Sequence, residues 1–471
     1  MNKEKCDGVD RPKTKGRPAM RNIIYRVLAG LFALGITDPI GQISTTPACA
    51  APQPLAASAG KQELSGSTEA KRKNESGMTA ERSPEDHADQ CGTPKLSEGQ
   101  AVAPEVAQAK AGFAMDLITR LSPKNQNVSV SPFGLSAILS TLDLGADPAF
   151  RKAIIAMMRL SPGAGKFEEL RKESRLINLA VQRDPRRFMS FNAVFVDHRL
   201  PLKAGIKDLA AAEGDVDVQS IDFESQASID SVNDLLAKKA NGRIKSILEP
   251  GSAPSLVTSN VLVFKDCWKT PFDKSKTVDK SFTLADGGKV KRSTMLATAD
   301  SIGYRSAGQF VAVEIPYLDE EFALTLVTTQ HEPAKAVDFK DAVSLLAGID
   351  LVDVRATLSM PKFGGQVDND LLDTLSAMGL KPGLASANQL PGFADGLRIS
   401  RVRQKTWLAV DEVGTEAAAV TAAVATRSAP DPKVVSVDFD KPFVYALRYR
   451  PTGAILVAGY VGDPVSPRAP H

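Results

Sequence analysis

The apolar positions that follow Ala103 recur with helical spacing. In EVAQAKAGFAMDLITRL, Val106, Ala109, Phe113 and Leu117 are three or four residues apart and share one face of a helix. The pattern predicts an amphipathic helix at the start of the folded region.

Three later segments also have patterns that predict regular structure. NVSVSPFGLSAILSTLDLGA predicts a short strand and then a strongly apolar helix, which Ser131 and Pro132 open. SIDSVNDLLAKKANGRIKSIL predicts a helix that Asn241 and Gly242 close. SLVTSNVLVFKDCWKTPFD is a nearly continuous apolar run, which is typical of a strand buried on both faces.

Strands dominate the rest of the chain. FVAVEIPYL, FALTLVTT, VRATLSMPKF, TWLAVDEV, FVYALRYR and AILVAGYV are rich in β-branched or aromatic residues. Because helices come first and strands later, without regular βα alternation, the order predicts an α+β fold with large antiparallel sheets.

The first hundred residues lack such a pattern. Residues 51–102 have few large apolar side chains and cannot offset their ordering entropy, so we expect a disordered linker. Residues 1–50 are typical of an export signal, with Arg21 and Arg26 before an apolar run too short to span a membrane. A start at Met20 would give a conventional signal. We therefore expect a secreted or periplasmic protein with one domain at 103–465 and a tail at 466–471.

The composition argues against some classes of partner, and it does not decide whether the cysteines form a disulfide. The content is 43% hydrophobic and 24% charged, and a net charge of +3 is too small to argue for binding to nucleic acid or an acidic membrane. Cys6 and Cys49 lie in the export signal. A bridge between Cys91 and Cys267 is one alternative, but two unpaired thiols are favoured because Cys91 lies in a polar stretch.

No pattern of a catalytic or metal site is present in the sequence. The motifs G-x-S-x-G, C-x-x-C and H-E-x-x-H are absent from the sequence. The predicted domain has only two histidines that could act as a base or a metal ligand, His198 and His331. Cys267 lies in an apolar strand, where a buried thiol is the ordinary interpretation. The sequence therefore predicts a protein that is not an enzyme and needs no metal or cofactor.

The segment DEVGTEAAAVTAAVATRSAP, residues 411–430, has an unusual combination of small residues. If it is extended, one face consists of residues that are all small, namely Thr415, Ala417, Ala419, Thr421, Ala423 and Ala425. Glu416 lies on the other face. A large or charged residue on the small face would cost on the order of several kcal/mol in a packed sheet. The pattern indicates a segment that is exposed in one state and inserted in another.

This segment resembles the hinge of inhibitory members of the serpin family, and the resemblance extends over residues 103–464. NVSVSPFGLSAIL, with Ser131, is similar to the family's strand-to-helix segment under the main sheet, and SNVLVFKDCWKTPFD, with Asn260 and Trp268, to its central strand. DKPFVYALRYRPTGAILVAGYVGDP resembles its C-terminal signature. The hinge residues in register are Glu412, Gly414, Thr415, Glu416, Ala417, Ala418 and Ala419.

The resemblance implies an α+β serpin-like fold with about nine helices, three largely antiparallel sheets and an exposed reactive-centre loop at about 412–432. It implies a monomeric suicide-substrate inhibitor of serine proteases without a cofactor, in which residues 414–426 insert into the main sheet after cleavage. Ser131 and Asn260 would form the shutter beneath the sheet, and Trp268 would mark the entry point. The alternative is a serpin-like binding or carrier protein that does not inhibit.

The loop length leaves two candidates for the cleaved bond. A count of seventeen residues from Glu412 gives Ser428–Ala429 and suits elastase-like or subtilisin-like proteases. A loop one residue shorter gives Arg427–Ser428 and suits trypsin-like proteases, whose pocket holds a carboxylate.

Two residues depart from the family pattern. Gly134 stands where the family usually has a serine in the shutter. Gln404 stands where a histidine often helps to hold the loop's entry point, so we expect it near Trp268.

Overall fold

Prolines begin the first three helices. The structure, a computed structural model, describes residues 103–161, 165–182, 187–214, 216–240, 242–249, 254–380, 389–415 and 434–466, which belong to one compact unit. Pro104, Pro132 and Pro148 occupy the first helical position, where a missing N–H costs nothing. The helices are α1 Pro104–Leu121, α2 Pro132–Leu142, α3 Pro148–Met157, α4 Lys166–Gln182, α5 Ile206–Gly214, α6 Gln226–Lys239, α7 Val343–Leu346 and α8 Leu372–Leu375.

The strands of the described ranges form two hydrogen-bonded sheets. They are β1 Val128–Val130, β2 Phe188–Asp197, β3 Asp217–Ile221, β4 Leu256–Phe264, β5 Asp266–Cys267, β6 Val278–Thr283, β7 Lys289–Ala307, β8 Phe310–Pro316, β9 Phe322–Thr329, β10 Val352–Pro361, β11 Phe363–Asp370, β12 Ile399–Val410, β13 Gly414–Thr415, β14 Val435–Asp438, β15 Phe443–Tyr449 and β16 Ala454–Val461.

The first sheet, called the main sheet below, has the order β3-β2-β4-β12-β13-β5, and β11 pairs with the other edge of β12. Its two central strands, β4 and β12, run parallel and are bonded directly to each other. The end of the sheet at which β12 terminates is called the upper end. The hinge leaves β12 there.

The second sheet has nine strands in the order β1-β16-β15-β9-β8-β7-β10-β14, with β6 on β7. The expectation of three sheets differs from this count because β7, with nineteen residues, pairs in turn with β6 at its start, with β10 along its middle and with β8 at its end. One long strand thus joins what would otherwise be two sheets. The described residues contain eight helices rather than about nine.

The central strand β4 of the main sheet is buried on both faces, as its apolar run predicts. All nine residues of β4 are buried. Leu262 and Phe264 point into the core between the two sheets, whereas Val261 and Val263 pack in a separate apolar cluster that includes Leu236 of α6. The prediction that this strand is covered on both faces is confirmed.

The expectation of an unpaired thiol at Cys267 was wrong. This residue is disulfide-bonded, and its partner lies outside the described residues, as do the predicted export signal and linker. An apolar environment suits a disulfide as well as a thiol, so the burial of Cys267 could not decide between them. Within the described ranges, no helix is long and apolar enough to cross a bilayer.

Candidate functional site

The hinge starts as a short strand that is paired on both sides. In β13, Thr415 pairs with Val410 of β12 and with Asp266 of β5. Thr415 is fully buried, and its Oγ1 lies 2.6 Å from Tyr317 Oη. Glu412 is buried as well. The first residues of the expected exposed loop are therefore docked in the main sheet, because β5 continues past β4 and offers them a second partner strand.

Close packing explains the glycine of the hinge. A Cβ on Gly414 would lie 2.0 Å from the carbonyl oxygen of Asp266 and 2.7 Å from Cys267 Cα. Both obstacles are backbone atoms, so no side chain fits here without a shift of β5. Asp411 shapes the preceding turn, since its Oδ1 accepts hydrogen bonds from the N–H groups of Val413 (2.9 Å) and Gly414 (3.2 Å).

Glu412 anchors the turn through a buried carboxylate. Its Oε1 accepts hydrogen bonds from Lys362 Nζ (2.6 Å) and Thr277 Oγ1 (2.7 Å), and its carbonyl oxygen accepts one from the N–H of Phe272. Burial disfavours the charged form, but the bonds from Lys362 and Thr277 outweigh burial and hold the pKa of Glu412 below its ordinary value. The carboxylate therefore stays ionised while the hinge is docked.

Trp268, which directly follows β5, donates two hydrogen bonds to the same turn. Its indole Nε1 donates to the carbonyl oxygen of Asp411 (2.9 Å), and its backbone N–H donates to that of Val413 (2.9 Å). The ring stacks on Tyr317 with centroids 4.5 Å apart and planes 18° from parallel. Trp268 thus contacts the point at which the hinge enters the sheet, the place that the resemblance implies for it.

An ion cluster supports β5 next to the hinge. Arg187 binds Asp266 and Asp319, the latter at 2.6 Å, and its guanidinium lies over the ring of Phe322. Burial raises the pKa of Asp266 to about 6, although the contact with Arg187 opposes the rise. The cluster connects the start of β2, β5 and the turn between β8 and β9.

A network of uncharged groups crosses the middle of the main sheet. The Gln404 side-chain amide accepts from the N–H of Ser131 (2.7 Å) and donates to the carbonyl oxygen of Ser131 (2.9 Å) and to Asn260 Oδ1 (2.9 Å). Asn260 Nδ2 donates to Asn192 Oδ1 (2.7 Å). The network joins β12, β4 and β2 to the start of α2. It brings Ser131 and Asn260 together, and any separation of β4 from β12 must break it.

The expected place of Gln404 was wrong. Gln404 is the pairing partner of Asn260 in the middle of the sheet, whereas Trp268 follows β5 at the upper end. A position on a strand is determined by register with its neighbours, which the sequence around Gln404 does not reveal. The roles of Tyr317, Lys362 and Thr277 were also missed, because each lies far along the chain from the hinge.

Gly134 fits the same network. A Cβ at this position would lie 2.0 Å from Asn260 Nδ2 and 2.2 Å from its Cγ. The Asn260 amide thus occupies the space that a serine side chain would need. The departure from the family pattern at Gly134 is accommodated by the packing of Asn260.

The rest of the predicted site lies outside the described residues. These positions are Glu416, Ala417, Ala418 and Ala419 of the hinge and Arg427, Ser428 and Ala429 at the two candidate bonds. Among the described side chains, no group of three or more His, Cys, Asp or Glu residues is arranged to hold a metal ion.

Comparison with known proteins gives one family. The family model described as "Serpin (serine protease inhibitor)" matches residues 108–464. Serpin-Z1C of Triticum aestivum is 31% identical over 385 residues, which are 75% of this chain and 95% of the relative. Glia-derived nexin of Rattus norvegicus is 31% identical over 372 residues, which are 73% of this chain and 89% of the relative.

Solved structures give the same fold. Native protease nexin-1 with heparin matches with a TM-score of 0.64 and 22% identity, over 77% of this chain and all of that one. Thyroxine-binding globulin in complex with thyroxine matches with a TM-score of 0.65 and 22% identity, over 77% and 100%. The predicted α+β serpin fold is confirmed. This chain belongs to the serpin family, a family of protease inhibitors rather than enzymes.

Proposed function

We propose that the protein inhibits serine proteases as a suicide substrate. The observation that carries this proposal is the register of β13. Continued along β12 it brings Thr421 opposite Gln404, and continued along β5 and β4 it brings Thr421 opposite Asn260. Gln404 and Asn260 are already a pair in the register of β12 and β4. A strand of residues 414–426 therefore fits between these strands without a slip.

The side chains suit that register as well. Ala417 would lie between Phe264 and Leu408, two side chains of the core between the sheets. Methyl groups at such positions add a strand without displacing the existing core. Glu416 would lie on the opposite face, across from Lys265, where a carboxylate and an ammonium group attract each other.

The inhibitory reaction then follows from ordinary protease chemistry. The protease serine attacks the carbonyl carbon of the reactive bond, and the peptide C–N bond breaks. The leaving amine, which becomes a new amino terminus, takes up the proton that the serine hydroxyl has lost. An ester joins the loop to the protease. Insertion replaces the direct pairing of β4 and β12 by hydrogen bonds on both sides of a new strand. It carries the esterified protease to the end of the main sheet opposite the upper end and distorts the protease active site before water cleaves the ester.

The reactive bond is either Arg427–Ser428 or Ser428–Ala429, and the two choices imply different targets. Arg427 would suit a trypsin-like protease, and Ser428 an elastase-like or subtilisin-like one. The loop count supports Ser428, whereas the complementarity of arginine with an acidic pocket supports Arg427.

The test uses the chain without residues 1–50, mixed separately with trypsin, with an elastase and with subtilisin. We expect a covalent complex that survives denaturing gel electrophoresis, and a released peptide whose mass shows whether it begins at Ser428 or Ala429. The control is the same protease with its active-site serine blocked, which should form no complex. Loop cleavage by every protease without a complex, and without a gain in thermal stability, would favour the binding or carrier function.

We also propose that residues 1–50 direct export and are removed. Arg21 and Arg26 before a short apolar run support this proposal. The full chain should appear outside the cytoplasm with a new amino terminus near Ala50, whereas a chain without residues 1–50 should stay inside. Equal retention of both chains in cell fractions would contradict it.

A further inference from the structure

A buried pair of hydroxyl groups lies where the hinge joins the main sheet. Tyr317 and Thr415 are both fully buried, and Tyr317 Oη lies 2.6 Å from Thr415 Oγ1. Burial raises the pKa of Tyr317 well above its ordinary value, so the phenol keeps its proton and can donate it to Thr415. The distance is that of a hydrogen bond between two hydroxyl groups. The hinge is thus joined to the end of β8 by a polar contact inside the core.

The surroundings of Tyr317 fix the position of its hydroxyl. The ring stacks on Trp268 on one side, and it meets the ring of Phe264 with centroids 5.0 Å apart and planes 71° from parallel. The backbone N–H of Tyr317 donates to the carbonyl oxygen of Phe322 at 3.0 Å. Packed aromatic rings of this size have little freedom to move. The hydroxyl therefore has one position beside β5, and the hinge must meet it there.

Small shifts of the hinge along the sheet would leave this hydroxyl without a partner. Side chains of a strand alternate between two faces, so a shift by one residue turns the other face of the hinge towards Tyr317. A shift by two residues replaces Thr415 by Val413 or Ala417, and neither carries a hydroxyl. A buried hydroxyl without a partner costs free energy. The contact with Thr415 therefore selects one register of the hinge.

We propose that Tyr317 is a positioning residue of the inhibitory reaction, whose hydroxyl holds Thr415 and sets the register of the hinge between β12 and β5 before the loop is cleaved. Insertion then starts from strands that are already paired, in the register that brings Thr421 to Gln404 and Asn260. It needs no search for the register while water competes for the ester. The effect on trapping of the protease rests on the proposed function, whereas docking of the hinge does not.

Hydrogen exchange of the intact, uncleaved chain tests docking of the hinge without any protease. Tyr317→Phe and Thr415→Val each leave one buried hydroxyl unpaired, so the backbone N–H groups of residues 413–415 should exchange about tenfold faster. The double variant leaves neither hydroxyl unpaired and should exchange no faster than either single variant. Tyr460→Phe is the matched control, since its equally buried hydroxyl donates to the carbonyl oxygen of Ala334, away from the hinge. Its exchange at residues 413–415 should equal that of the wild type.

Three results would overturn the positioning role. The first is exchange at residues 413–415 that is equally fast in the wild type and in both single variants. The second is a double variant whose effect is the product of the two single effects, because the two hydroxyl groups would then act independently. The third is an equal increase in Tyr460→Phe, which would indicate a general loss of stability.

A second measurement tests the effect on trapping, with a protease that the wild type traps. Insertion should slow about fivefold in Tyr317→Phe, the equivalent of one hydrogen bond. The number of inhibitor molecules consumed for each protease molecule inhibited should therefore rise, whereas the rate of the first attack on the loop should not change. An unchanged number, or an equal rise in Tyr460→Phe, would overturn the role in trapping. Failure of the wild type to trap any protease would count against the proposed function and not against the docking that hydrogen exchange measures.

Discussion

At the scale of single residues, Gly134 shows how tightly the network of Gln404, Ser131 and Asn260 is packed. The Asn260 amide occupies the space of a Cβ at this position. Gly134→Ser is therefore expected to push the Asn260 amide away from Gln404 and to lower the free energy of unfolding by about 1–3 kcal/mol. Gly112→Ala is the matched control, since the three atoms nearest to its Cβ would all belong to the long side chain of Arg159, and alanine favours a helix. Urea unfolding of the uncleaved protein measures both, and equal midpoints would contradict the expectation.

Glu412 makes the stability of the docked hinge depend on pH. The pKa of Glu412 lies below its ordinary value of 4.5, so the carboxylate contributes stability above pH 4.5 and loses the contribution as the pH falls through its own lower pKa. Glu412→Gln should therefore be less stable by about 1.5–3 kcal/mol at pH 7, the usual contribution of hydrogen bonds to a charged group. The difference should shrink below pH 4.5.

The comparison of unfolding free energies between wild type and variant removes the contributions of groups that do not interact with Glu412; the neighbouring Asp411 does interact, since Glu412 contributes to its raised pKa. Asp266 acts with the opposite sign, because its pKa is raised to about 6 and its protonation on acidification favours the folded state. Both proteins carry Asp266, so its contribution cancels in the difference. A difference that stays constant from pH 7 to pH 3.5 would show that Glu412 does not stabilise the hinge through its charge.

At the scale of elements, the extension of β13 predicts a role for one threonine of the loop. An inserted strand breaks the bond between Gln404 and Asn260, and Thr421 is the residue whose hydroxyl would lie between their amides. Thr421→Val should leave those buried groups unpaired, at a cost of about 1–3 kcal/mol. Insertion should become slower, so that more protein is cleaved without trapping the protease.

The measurement is the number of inhibitor molecules consumed for each protease molecule inhibited. It should rise for Thr421→Val. Thr426→Val is the matched control, because this threonine lies near the end of the inserted segment on the other face, away from the amides. An equal rise in both variants would mean that the pairing of Thr421 with the network is not the cause.

At the scale of the whole molecule, cleavage of the loop should convert a less stable fold into a more stable one. A new central strand adds about a dozen hydrogen bonds, each contributing roughly 1 kcal/mol. At roughly 2–4 °C per kcal/mol, the unfolding temperature should rise by roughly 20 °C or more. Calorimetry before and after cleavage with a protease that cuts only in the loop checks this. Unchanged unfolding temperatures would contradict insertion.

Much of the architecture was predictable because it depends on local pattern. The helix that starts at Pro132 follows from a serine, a proline and an apolar run, and the complete burial of β4 follows from the absence of polar alternation. The segment of small residues indicated a strand that enters a packed sheet. The pairing of Glu412 with Lys362 and Thr277 was not predictable, because its members lie far apart in the sequence.

The sequence by itself determined most elements, the family and the segment of small residues for which we propose insertion, because side-chain size, turn residues and periodicity act over a few neighbouring positions. Only the tertiary structure decided that Gly414 and Thr415 are docked between β12 and β5. It alone brought Gln404 to Ser131, which is 273 residues away along the chain. The physical reason is register: which residues face each other across two strands depends on how the whole sheet packs.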